Sequence, residues 1–333
     1  MSQGLPCSRL PQWPRSLGRL AGAGLVSLCM PWAAIAGVLS ERLATLHQRV
    51  FTNDGSTFSG SAMSADLDAL RPLLQSKDTS SEDAFRLHYT MATVYGRRNM
   101  PAEAAAAAQM ALNAPLSVLK KNADAHFFLR LSSIRWLADS GKFEAALETI
   151  HRLQAEYPLP KLSPQLQPKS KDDLPHHSSA SGNPTLLQIL GVYEDEGYVL
   201  HEQGRYREAL AANQRLLAVA RTQVKAIGRP ELLRGVLNNA AQNAYELGDF
   251  SLAGQYLKER ADIAKAAQDH ETVYDSYFQL MVLAHEQAKH AQARGWIDAY
   301  SLYAKRQNDP SHIDRAQRLR DELEQKTSSH TSP

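Results

Sequence analysis

The chain has 333 residues, enough for two average domains or for one elongated array with a distributed core. Its 37 Lys and Arg against 35 Asp and Glu leave a formal charge of +2, and no long basic run gives nucleic acid an electrostatic footprint. Abundant Ala and Leu, with only 7% aromatic residues, favour helix over strand.

The first nineteen residues carry Arg9, Arg15 and Arg19 and no acid. An uncharged stretch follows, LAGAGLVSLCM, then Pro31 and WAAIAG. A basic segment, a short apolar core and the small-x-small ending Ala34-Ile35-Ala36 predict a secretory signal peptide over 1–36. The alternative is an uncleaved inner-membrane anchor over residues 20–39, which are all uncharged and about long enough to span a bilayer. Leu28 stands before Cys29 where a lipoprotein signal wants a small residue. Cleavage removes both cysteines, Cys7 and Cys29, and with them any disulfide, thiol nucleophile or thiolate metal site. It also removes three arginines, taking the formal charge from +2 to −1 (2 minus 3). A bacterial-style export signal on a cysteine-free helical chain makes the periplasm the expected location.

Residues 37–82, with LSERLATLHQRV and ALRPLLQ, are expected to form an N-terminal helical cap segment. From residue 83 onward the helical period dominates, and no useful length alternates with the period of a strand. The first hairpin, ATVYGRRNMPAEAAAAAQMAL, turns at Asn99, places Pro101 in the first turn of its second helix and carries Ala104. The second, IRWLADSGKFEAALETIHRLQAEYP, has Gly141, Phe143 and Ala146 and ends in Pro158. Residues 158–185, rich in Pro and Ser, read as a disordered linker. Three hairpins fill 186–308. GYVLHEQGRYREALAANQRLL carries Gly204, Tyr206 and Ala209, and AAQNAYELGDFSLAGQYLKERA carries Gly248, Phe250 and Ala253 at the same offsets. MVLAHEQAKHAQARGWIDAY keeps Ala293 without the glycine or the aromatic. A capping helix over 309–326 begins at a cap-like Ser311 and has Ile313, Ala316, Leu319 and Leu323 on one stripe; 327–333 is a frayed tail.

Each recurring position has a mechanical reason. A helix commonly ends on a left-handed residue, which Gly tolerates best and Asn next. The aromatic at the start of the second helix fastens it to the first, and the Ala lies where two antiparallel helices cross closely. The pattern resembles the tetratricopeptide repeat, best at Gly197, Gly204, Tyr206, Ala209, Leu216 and Leu217. The crossing alanines are 42, 63, 44 and 40 residues apart, against the family's usual interval of about 34, so these units resemble its longer-helix versions. The resemblance implies an all-α, right-handed superhelical solenoid of helical hairpins.

Motifs of chemistry are sparse. His201-Glu202 and His285-Glu286 lack the second His of a zinc-protease helix, and Arg205 stands where the first pair needs it. The adjacent His176 and His177 lie in the linker. Ser117 to Lys120 matches the SxxK of penicillin-recognising enzymes, without the sheet that fold needs. No P-loop, GxSxG, dinucleotide or calcium-loop pattern occurs. No catalytic residue, metal or cofactor is expected.

The resemblance implies instead that the first helix of each hairpin lines a concave groove. Offsets from the crossing alanines place Tyr89, Thr93, Arg97, Leu131 and Arg135 on it, then Glu194, Tyr198 and Glu202. The last two hairpins add Asn238, Gln242, Tyr245, Phe278, Val282 and His285. Asn238 and Gln242 suit an extended peptide backbone, and Tyr198, Tyr245 and Phe278 suit apolar pockets. The Lys/Asn clamp that some relatives use for a C-terminal carboxylate is absent at these positions. The expected function is that of an exported, non-catalytic protein that binds protein or peptide partners, an envelope assembly adaptor. The alternatives are a scaffold self-associating through exposed Trp296, Tyr300 and Tyr303, and a periplasmic sensory module.

Overall fold

The structure, a computed structural model, describes residues 67–68, 71–72, 79–159, 184, 186–226 and 229–329. The leader, most of the cap segment, most of the linker and the last four residues lie outside the described residues. Every regular element among the described residues is helical. In order these are α1 (Ser81–Arg97), α2 (Pro101–Leu112), a short α3 (Leu116–Lys121), α4 (Ala123–Asp139) and α5 (Phe143–Glu156). There follow α6 (Leu186–Glu202), α7 (Tyr206–Ala226), a 3₁₀ turn (Pro230–Leu233), α8 (Arg234–Glu246) and α9 (Phe250–Ala266). The chain closes with α10 (His270–Glu286), α11 (His290–Arg306) and α12 (Pro310–Ser329).

Two compact units divide the chain, an N-terminal one (1–146 with 168–185) and a C-terminal one (147–167 with 186–333). In the N-terminal unit α1 pairs with α2, and Phe85, Leu87, Ala108 and Leu129 sit in one core. In the C-terminal unit each helix packs on the next, from α6 through α12. From Leu147 onward α5 belongs with this stack: Leu147 packs against Leu200, Ala209 and Ala212. The opening of the expected linker is also packed there. Leu159 is buried, and its N–H donates to the Tyr193 hydroxyl at 3.1 Å. That hydroxyl in turn donates to the Tyr157 carbonyl at 3.2 Å.

The crossing residues explain how the helices come so close. Ala104, Ala146, Ala209, Ala253 and Ala293 are all buried to 1% exposure or less. A larger side chain at any of them forces the axes apart or drives a neighbour off its rotamer. Phe143, Tyr206 and Phe250 open α5, α7 and α9 and are half-buried beside their turns.

Among the described residues, seven helix ends turn through a left-handed residue. Gly141, Gly204, Gly248 and Asn99 were legible as such; Gln268, Ala288 and Asn308 do the same at φ of 57°, 55° and 53°. At each turn the N–H of the next residue returns to a carbonyl one turn back, as Arg205 to Leu200 at 2.9 Å and Lys289 to Ala284 at 2.9 Å. Two such bonds per turn satisfy the orphan carbonyls and hold a residue with a Cβ in a conformation it does not prefer. Ala288→Gly is therefore expected to stabilise the chain by about 1 kcal/mol, read as a rise in melting temperature of roughly 2–4 °C.

The C-terminal helix departs from expectation at both ends. Its cap is Asp309, not Ser311: the Asp309 carboxylate accepts the N–H of His312 at 3.2 Å and the Ser311 hydroxyl at 2.8 Å. Those bonds hold the carboxyl below its ordinary range, the Ser311 bond first. The helix continues to Ser329, into the expected tail. Ala316 and Leu323 are buried and Ile313 and Leu319 pack beside them, as the stripe requires.

Tyr300 was expected to be exposed and is not. It is 1% exposed, tilted against Tyr274 with ring centroids 5.0 Å apart. Trp296 and Tyr303 are half-buried. The reason is α12, whose His312 stacks on Tyr274 at 3.8 Å and lies 5.9 Å from Tyr300. Of that expected self-association face, Tyr300 meets α12, while Trp296 stacks on Tyr277 at 5.9 Å and the Tyr303 hydroxyl meets His270 at 2.8 Å, both on α10.

Candidate partner-binding wall

Of the expected groove residues, five lie in the N-terminal unit and nine in the C-terminal unit. On α1, Tyr89 is buried, stacked on Phe85 at 6.2 Å and edge-on to Phe128 at 5.9 Å. Burial pushes its phenol well above the ordinary range. Thr93 is also buried and returns its hydroxyl to the Tyr89 carbonyl at 3.1 Å. These two present almost no surface. Arg97 is half-buried, and desolvation lowers its pKa from the ordinary arginine value. Leu131 and Arg135, one turn apart on α4, are half-buried as well.

In the C-terminal unit, α6, α8 and α10 are the first helices of successive hairpins, and side-chain bonds join them sideways. His201 Nδ1 of α6 donates to Asn243 Oδ1 of α8 at 2.8 Å. Asn239 of α8 donates to Glu194 of α6 at 3.4 Å. Gln279 of α10 donates to Asn238 of α8 at 3.3 Å, and the Tyr245 hydroxyl of α8 donates to Glu286 of α10. Each bond spans one repeat, 41 to 45 residues. Gly235 makes room for one of them, since a Cβ there would meet Glu194 Oε1 at 2.4 Å.

This network fixes what each expected residue does. Asn238, 2% exposed, is occupied by Gln279 and buried in the seam, so its amide is a joint between helices. Glu194 is half-buried and faces Asn239. Tyr198, Gln242, Tyr245, Phe278, Val282 and His285 are half-buried, and Glu202 is exposed. Tyr245 lies edge-on to Phe250 at 5.7 Å, and its phenol is raised by burial first and then by the Glu286 carboxylate. The Arg315 guanidinium of α12 sits over the Phe278 ring, 5.2 Å from its centroid. No group of three metal-ligating side chains occurs among the described residues, and no helix there is long and apolar enough to cross a membrane.

Sequence reasoning missed Asn239, Asn243, Gln279 and Arg315. The first three carried a signal, polar residues at the 40-to-44-residue interval of the alanines. Beneath the seam lies a further network: Arg260 of α9 donates to Asp275 at 2.7 Å and Ser276 at 3.0 Å, and Gln279 also reaches Asp275 at 2.9 Å. Such buried polar joints are worth most when all are satisfied, and they specify one register of stacking.

No protein-family model and no curated protein matches the chain. Solved structures of similar fold include the apo form of RapI, with a TM-score of 0.59 and 11% identity over 87% of this chain and 75% of that one. A Rap protein complexed with competence and sporulation factor gives a TM-score of 0.50 and 13% identity over 85% of this chain and 71% of that one. At such identities the likeness is one of fold, and that fold is an all-α helical repeat of the tetratricopeptide-like kind.

Proposed function

We propose that this chain is a non-catalytic, exported repeat protein that binds a protein or peptide segment along the first-helix wall of its C-terminal unit. It serves there as an assembly adaptor of the cell envelope. The observation that carries the reading is the row of bonds joining α6, α8 and α10. It holds the three first helices in a fixed register and leaves Tyr198, Gln242, Phe278 and Val282 half-exposed one repeat apart. A rigid row of Tyr198, Phe278 and Val282 with the Gln242 amide among them suits an extended segment, whose backbone takes the amide and whose side chains take the apolar groups. A Rap protein of similar fold is known in complex with competence and sporulation factor, which favours ligand binding over catalysis for this architecture. Export rests on the basic, apolar and small-x-small succession of residues 1–36.

Two measurements test this. Paired substitution of Gln242→Ala and Phe278→Ala is expected to weaken capture of the native partner by about tenfold or more, with the helical circular dichroism unchanged. Undiminished capture contradicts the wall. N-terminal sequencing of the envelope-extracted protein is expected to begin at Gly37; a blocked or intact N-terminus on a cytosolic protein contradicts export.

A further inference from the structure

The turns of the C-terminal unit repeat a feature beside the joints of the wall, and His201, Tyr245 and Glu286 take part in both. At each of three successive turns, the last residue but one of the first helix packs its ring on the first residue of the second helix. The pairs are His201 with Tyr206, Tyr245 with Phe250, and His285 with His290, at centroid distances of 5.1, 5.7 and 5.7 Å. The last residue of each first helix is a glutamate: Glu202, Glu246 and Glu286, all exposed. Among the described residues none of the three carboxylates is ion-paired with a lysine or arginine, whereas Glu82, Glu196, Glu208, Glu231 and Glu259 all are. The bases nearest in sequence are engaged elsewhere: Arg205 on Glu208 and Lys289 on Gln287.

Rings and carboxylates alternate along this edge. Tyr206 feels both Glu202 and Glu246, and Tyr245 feels both Glu246 and Glu286; in each case burial raises the phenol first and the glutamates raise it further. The position is a poor one for an acid, because the C-terminal end of a helix already carries negative partial charge. Three glutamates there in one register form a surface complementary to cations, held by carboxylate and phenyl or phenol face together at the first two turns and by the carboxylate beside two imidazoles at the third.

We propose that this edge docks a basic segment of a partner protein, with one lysine or arginine seated at each ring-and-glutamate station. The spacing of that segment follows from the stack. Helices packed side by side lie about 8–10 Å apart, and an extended polyproline-II strand advances roughly 9 Å every three residues and returns to the same face. The matching sequence therefore carries a cation at every third residue. The inference rests on the reading that the C-terminal unit binds a peptide segment, and it adds the chemistry of that segment.

The test uses the full chain and fluorescein-labelled peptides of about twelve residues. One carries Lys at every third position among Ala and Gln, one has the same lysines grouped, and one has Glu in place of Lys. Fluorescence anisotropy is expected to show the spaced Lys peptide binding about tenfold more tightly than the Glu peptide, and more tightly than the grouped one. In the triple variant Glu202→Gln, Glu246→Gln, Glu286→Gln that preference falls by about tenfold, and the salt dependence flattens. Equal binding of Lys and Glu peptides, equal binding of spaced and grouped lysines, or an unaffected triple variant overturns the proposal. If the triple variant captures the native partner normally while Gln242→Ala with Phe278→Ala does not, the stations fail and the wall stands. The reverse pattern, seen also in the double variant Glu202→Gln, Glu246→Gln that keeps the Tyr245–Glu286 joint, removes the wall alone.

Discussion

Gly197→Ala is expected to destabilise the C-terminal unit by about 1–3 kcal/mol, and Asn213→Ala in the same chain is expected to restore most of that loss. Gly197 lies in α6 against Asn213 of α7, and a Cβ built on it would meet Asn213 Oδ1 at 2.2 Å, Cγ at 2.8 Å and Nδ2 at 2.9 Å. Asn213 is fully buried, and neither end of its amide has a hydrogen-bond partner among the described residues. Enclosed at 0% exposure, the amide must shift or the helices must part to admit the added methyl. Asn213→Ala removes both the obstacle and a buried amide whose lack of partners costs about 1–3 kcal/mol. That gain offsets the small cavity left behind, and the single Asn213→Ala variant is expected to be near neutral or more stable. Urea unfolding of the four chains of the cycle reads the coupling directly. Additive effects would mean that the two residues do not meet.

The second large effect lies at Tyr274. Its ring is 2% exposed and touches His312 at 3.8 Å, Tyr300 at 5.0 Å and Tyr303 at 5.5 Å. Tyr274→Ala is expected to cost about 3–5 kcal/mol, because it empties a site lined by three other rings. It also removes the surface on which α12 rests, so limited proteolysis is expected to cut α12 away first. Tyr274→Phe should behave oppositely. The Tyr274 hydroxyl is buried without a hydrogen-bond partner among the described residues, and burial pushes its phenol up to about 12. Deleting it removes an unsatisfied donor and keeps the ring, so stability is expected to be unchanged or slightly raised. A Tyr274→Phe variant as damaged as Tyr274→Ala would show that the hydroxyl, not the ring, holds this end together.

The hairpins were legible because their turns and crossings leave few chemical choices. Gly141, Gly204, Gly248 and Asn99 mark left-handed residues, and the alanines mark close helix contacts, whatever surrounds them. Gln268, Ala288 and Asp309 were not legible as turn and cap residues. Their backbones are held by hydrogen bonds and by packing that follow from the whole turn, not from the residue's own preference. The groove residues show the same division. An offset from the crossing alanine placed each on a first helix, but a helix has two buried sides in a stack. Tyr89 and Thr93 fall within the N-terminal core and Asn238 falls in the seam between α8 and α10. Tyr300 misled for the converse reason: the closing helix was legible with its apolar stripe, but not which rings of α10 and α11 it would cover.

The most direct test of the account is crosslinking of residues 37 to 333 to a partner in native envelope extract, with the crosslinked residues placed by mass spectrometry. The account predicts a foreign protein joined to α6, α8 and α10 along the row of Tyr198, Gln242 and Val282. Recovery of the bait joined only to other copies of itself, with the first helices untouched, would contradict it.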